Sequence, residues 1–200
     1  MTSGAIVQPH ARQWAAGLLV IAIIVAATAL IEYGMGRMPI CKCGTVKFWH
    51  GVVQSPENSQ HLSDWYTFSH IVHGLLFYFA AWALAKWRGW RIGFVAALAA
   101  AVFVEAAWEI FENTDFVINR YREATISLDY YGDSIVNSVS DILAMMAGFA
   151  VARLSPVAVS ILLAFGLEIF AAAMIRDNLV LNIIMLVYPL EFVKAWQNGG

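Results

Sequence analysis

The chain has 200 residues, 60% of them hydrophobic and only 13% charged, with a mean hydropathy of +0.67. Soluble domains carry about 25% charged residues, so this composition argues against a soluble fold, and a net charge of -2 gives no basic face for nucleic acid. No low-complexity stretch or repeat divides the chain, which reads as a single membrane domain over residues 1–200.

A helix that crosses a bilayer needs about 20 mostly apolar residues. The first candidate covers residues 14–33, "WAAGLLVIAIIVAATALIEY". Its apolar run exceeds the roughly 7–15 residues of a signal-peptide core and no strongly basic region precedes it, so an uncleaved anchor is expected. Residues 34–67 follow as an extramembrane loop in which Cys41 and Cys43 stand two apart, as a loop staple or as two free thiols. Further spans are expected at residues 68–86, 91–112, 134–152 and 156–175. The apolar stretch 179–188 is about half a span long and suits a re-entrant or interfacial segment. Backbone in lipid must satisfy its own hydrogen bonds. The expected fold is therefore all-α, an integral membrane bundle of about five transmembrane helices plus a short carboxyl-terminal segment.

Short loops set the orientation. Lys86, Arg88 and Arg91 lie in the tight turn between the second and third spans, and Arg153 lies in the turn after the fourth, on the same side as Arg12. The positive-inside rule makes that side cytoplasmic. The amino terminus is then cytoplasmic and the carboxyl terminus periplasmic, in a bacterial inner membrane.

The polar residues fall at the opposite face. The second span enters with His70 and His73, three apart; the third leaves through Glu105, Glu109 and Glu112; the fourth begins with Asp133, Asn137 and Asp141. A charge near the bilayer centre costs about 2.5–3.5 kcal/mol on insertion scales, so such groups are expected to face one another rather than lipid. At about 1.5 Å per residue, Glu105 and Asp141 reach similar depths, about 10 Å below the surface.

Imidazoles and carboxylates at matched depth offer ligands for zinc, iron or manganese, with His70, His73, Glu109 and Asp141 as the expected metal set. Without a metal, buried acids suit general acid–base catalysis or a proton-coupled pathway, with Glu105, Glu109, Glu112, Asp133 and Asn137 as the expected catalytic group. The plain alternative is polar glue between helices. The Glu-x-x-His helix of di-iron carboxylate bundles is absent from the sequence. Trp49, Trp65, Tyr66, Trp108, Tyr130 and Tyr131 fit an interfacial belt.

The segments "CKCGTVKFWHGVVQSPENSQHLSDWYTFSHIVHG", "EAAWEIFEN", "RYREATISLDYYGDSIVNSVSDILAM" and "IRDNLVLNIIMLVYPLEFVKAWQ" resemble a family of uncharacterised proteobacterial multi-pass membrane proteins, a domain of unknown function. The resemblance implies an inner-membrane protein of several helices and supplies no activity, ligand or catalytic residue. From the residues themselves, the leading expectation is a metal-dependent membrane-embedded hydrolase acting on a lipid-linked substrate, with the bilayer as its setting. The alternatives are a transporter or proton-coupled permease component acting on a small molecule, and a non-catalytic scaffold.

Overall fold

The computed structural model describes residues 5–8, 10–125 and 128–199. Five helices are long and apolar enough to cross a membrane: α1 (Ala11–Gly34), α2 (Thr67–Arg88), α3 (Phe94–Glu112), α5 (Ile135–Leu154) and α6 (Val157–Ile175). Three short helices accompany them: α4 (Asp115–Ala124), α7 (Leu179–Val187) and α8 (Glu191–Gln197). The fold is the expected all-α membrane bundle. A two-residue parallel contact, β1 (Ile6–Val7) with β2 (Ile92–Gly93), ties the start of α1 to the start of α3.

Local chemistry sets the helix ends. Gly89, at φ 67°, adopts the left-handed conformation that closes α2. Ser134 caps α5, its side chain accepting from the backbone N–H of Asn137, and Thr114 caps α4 in the same way through Val117. Residues 113–133, between the third and fourth expected spans, are not all connecting chain. Helix α4 buries Val117, Ile118, Tyr121 and Ala124 on one face.

The centre of the bundle is the crossing of α2 and α5, which run in the same direction. A Cβ added at Gly74 would lie 2.0 Å from the Met145 carbonyl oxygen, and one at Gly148 would lie 2.1 Å from the Ile71 carbonyl oxygen. Two glycines that face opposite backbones bring the helices together. Tyr78, Val102, Ile142, Met145 and Phe149 fill the space between these helices and α3. Helix α1 lies along α3, with Gly17 against Val95. Helix α6 exposes Leu162, Phe165 and Ile169, as expected of a helix that faces acyl chains.

The loop from residue 35 to 66 folds over one end of the bundle. Met38 and Pro39 carbonyls accept from the first N–H groups of α5, at Ile135 (2.9 Å) and Val136 (3.2 Å). The Gln60 side chain donates to the Gly132 carbonyl at 2.7 Å, and the Ser134 hydroxyl donates to the Gln60 carbonyl at 3.0 Å. These bonds fix the loop above the starts of α2 and α5. Within the loop, Cys41 and Cys43 form a disulfide.

Candidate functional site

His70 and His73 are three residues apart on α2 and so share a face of the helix. That face meets α3. His70 Nδ1 lies 2.6 Å from Glu105 Oε1, and His73 Nδ1 lies 3.1 Å from both oxygens of the same carboxylate. One buried carboxylate therefore serves two imidazoles. A carboxylate only accepts, so the facing nitrogens carry hydrogen and the Nε2 lone pairs are left for other partners. His70 Nε2 faces Asp141 Oδ2 on α5 at 3.7 Å, and Glu109 Oε1 stands 3.5 Å from His70 Nδ1. Thr67 donates to the other oxygen of Asp141 at 3.3 Å. Glu109 Oε1 has no hydrogen-bond partner among the described residues.

Further acids surround this group. Glu32, Asp64, Glu105, Glu109, Asp133, Asp141 and Asp177 are all buried. Among the described residues, no lysine or arginine forms an ion pair with any of these seven. Arginines at the same end serve backbone carbonyls instead: Arg37 donates to Tyr131 O at 2.8 Å, Arg120 to Leu186 O at 2.8 Å and Arg176 to Trp196 O at 2.9 Å. Unpaired buried carboxylates are expensive, and among the described residues the basic neighbours of Glu105, Glu109 and Asp141 are the imidazoles of His70 and His73. Asp133, in the turn before α5, takes hydrogen bonds from Tyr130 Oη (3.0 Å) and Asn113 Nδ2 (2.9 Å). Burial nevertheless pushes its carboxyl above the usual range, and burial does the same to Asp64.

A cavity of about 350 Å³ opens onto this cluster. His70, His73, Glu105, Glu112, Asp133 and Asp141 are its ionisable walls, and among the described residues no lysine or arginine lines it. Tyr66, Trp108 and Tyr130, expected in an interfacial belt, line the cavity instead, with Tyr121 of α4 and Asn182 of α7. The Tyr121 hydroxyl donates to Asn182 at 3.0 Å and so joins those two short helices over the site.

Two polar residues bond to distant backbone. Asn137 donates from Nδ2 to the His61 carbonyl at 2.8 Å, clamping the loop to α5. Glu168 of α6 accepts from the backbone N–H groups of Leu179 (3.2 Å) and Val180 (3.1 Å), the open end of α7. A carboxylate at a helix amino terminus satisfies free donors and complements the helix dipole.

Among the described residues, two groups of metal-ligand residue types have their ligand atoms within 4.8 Å of one another: His70, His73 and Glu105 in the bundle, and Cys41, Cys43, Glu57 and His61 in the loop. The loop group is the weaker. Its bonds are those of a staple. The Lys47 N–H donates to His61 Nδ1 at 3.2 Å, so the ring hydrogen sits on Nε2, which donates to Glu57 at 3.0 Å. Both ring nitrogens are thus engaged. Lys47 and His61 together hold the Glu57 carboxyl down at about 2.

The fold and the cluster define a class: a multi-pass membrane bundle with an acidic, histidine-bearing cavity at one end. The chain belongs to DUF2585, a family described as a protein of unknown function, which matches residues 32–199. It is 53% identical to a UPF0314 protein of Rhizobium meliloti over 188 residues, covering 94% of this chain and 93% of the relative. A UPF0314 protein of Novosphingobium aromaticivorans is 54% identical over 179 residues (87% and 88% covered), and one of Paracoccus denitrificans is 53% identical over 175 (88% and 89%). No solved structure matches the chain.

Proposed function

We propose that this protein is a metal-dependent hydrolase of the bacterial inner membrane, acting on a lipid-linked substrate at its periplasmic face. The observation that carries the reading is the pair His70 Nε2 and Asp141 Oδ2. Two acceptors face each other 3.7 Å apart, too far for a hydrogen bond and suited to two ligands of one ion at about 2.0–2.2 Å each. Histidines that ligate metal commonly donate their other N–H to a carboxylate, the part played here by Glu105. In this reading His70, His73, Glu109 and Asp141 hold a divalent zinc, iron or manganese ion, which when bound supplies a water nucleophile at neutral pH. Glu112 and Asp133, which line the cavity, take and return protons in this reading.

Protein purified from metal-replete cells should carry close to one divalent ion per chain, and His70→Ala with Glu109→Ala should remove it. Metal-free wild type whose melting temperature no divalent ion raises would overturn the reading. A proton-coupled carrier is the second reading, favoured by the unpartnered oxygens of Glu32 and Glu109. Glu109→Gln separates the two: it abolishes turnover in an enzyme, and it alters proton-coupled uptake into sealed vesicles in a carrier.

A further inference from the structure

The cavity has an apolar side as well as an acidic one. Leu76 and Phe77 of α2, Val104 and Trp108 of α3 and Ile183 of α7 complete its lining. Leu76 is 49% exposed, Val104 51% and Ile183 47%, so these residues form a mouth on the side of the bundle. Leu76 lies nine residues into α2 and Val104 eight residues before the end of α3, which is about 12–14 Å along the helix axes. Half of a bilayer's hydrocarbon core is about 15 Å thick. At that depth the surroundings of the mouth are acyl chains.

The polar end of the cavity is rich in acceptors. Glu112, Asp133 and Asp141 line it beside Asn58, which is 97% buried and whose Oδ1 has no hydrogen-bond partner among the described residues. A head that ends in hydroxyls brings no positive charge to these carboxylates, and among the described residues no lysine or arginine lines the cavity to balance them. An ammonium head brings both positive charge and three donors.

We infer that the cavity binds a membrane lipid bearing a primary amine, an aminophospholipid, which enters sideways between α2, α3 and α7 with its ammonium group toward Glu112 and Asp133. This names the substrate class of the site proposed above and rests on that cavity being the working site, though not on the metal. The acyl chains remain in the mouth, against Leu76, Val104 and Ile183.

Native mass spectrometry tests the inference on delipidated protein incubated with vesicles of phosphatidylethanolamine or of phosphatidylglycerol with matched acyl chains. One phosphatidylethanolamine should be retained per chain, at least tenfold above phosphatidylglycerol. Val104→Trp and, from another helix, Ile183→Trp should each plug the mouth and remove the adduct, whereas Phe103→Trp, at a 63% exposed position, should keep it. Equal retention of both lipids overturns the amine selection, and retention unchanged by both plugs overturns the site. Lipid retention by metal-free His70→Ala supports this inference even where metal analysis has sunk the reading above, so the two fail separately.

Discussion

Substituting Gly74 by alanine tests the crossing on which the site is built. The new Cβ would sit 2.0 Å from Met145 O, 2.5 Å from Phe149 N and 2.9 Å from the Gly148 carbonyl carbon. These are backbone atoms that cannot rotate away. Relief to ordinary contact requires α2 and α5 to part by about 1.4 Å, and overpacking of this kind costs about 1–3 kcal/mol, against at most about 1 kcal/mol gained from replacing glycine in a helix. His70 lies one turn before Gly74 on α2, and Asp141 lies one turn before Met145 on α5. Parting the helices therefore widens the 3.7 Å His70–Asp141 separation to roughly 5.1 Å, beyond what one ion with bonds of about 2.0–2.2 Å can bridge. Gly74→Ala should lower the melting temperature and weaken zinc binding at least tenfold in a competition titration. Gly166→Ala on α6, where an added Cβ meets nothing within 4 Å, should do neither. Wild-type melting and binding in Gly74→Ala would refute the packing argument.

Burial raises the Asp177 carboxyl to about 6, and the charge of Glu168 adds to the effect. The folded state thus holds this proton more tightly than the unfolded one, so the stabilisation is complete below the unfolded value of about 3.9 and is lost as pH rises through about 6. Asp177→Asn should flatten the melting-temperature profile in that window, and an unchanged slope would count against the burial argument. Glu168→Ala leaves two α7 donors uncapped, a loss of about 0.5–2 kcal/mol; amide exchange should quicken over Leu179–Val187, and uniform protection there would show the cap to be idle. A carboxyl-terminal alkaline phosphatase fusion should be active and a fluorescent fusion dark, the reverse pattern refuting the orientation.

The spans were legible because 20-residue apolar runs have few alternatives in lipid. Helical rise places Glu105 and Asp141 at similar depth, which marks the level of the cluster but not which acid meets the imidazoles. Contacts around each helix were harder to read. The 113–133 stretch is too polar to signal a span, and the spacing of Val117, Ile118, Tyr121 and Ala124 behind the Thr114 cap is what marks α4. Tyr66, Trp108 and Tyr130 suit an interface equally well as belt or as cavity wall, and only their neighbours in space decide. Asn137 and Glu168 show a further limit. A polar side chain in an apolar helix looks functional in sequence, yet these two bond to backbone from a distant loop and from the next helix. The expected catalytic group contains both Glu105 and Glu109 and the expected metal set contains only Glu109 of the two, whereas Glu105 lies closest to both imidazoles.

X-ray absorption at the metal edge of the purified protein tests the central claim most directly, because it reads the ligands along with the ion. The account predicts a shell of nitrogen and oxygen at about 2.0–2.2 Å with imidazole scattering, reduced in His70→Ala and unchanged in Glu57→Ala. A sulfur shell at about 2.3 Å would place the ion at Cys41 and Cys43 in the loop and contradict the account, as would the absence of any bound metal.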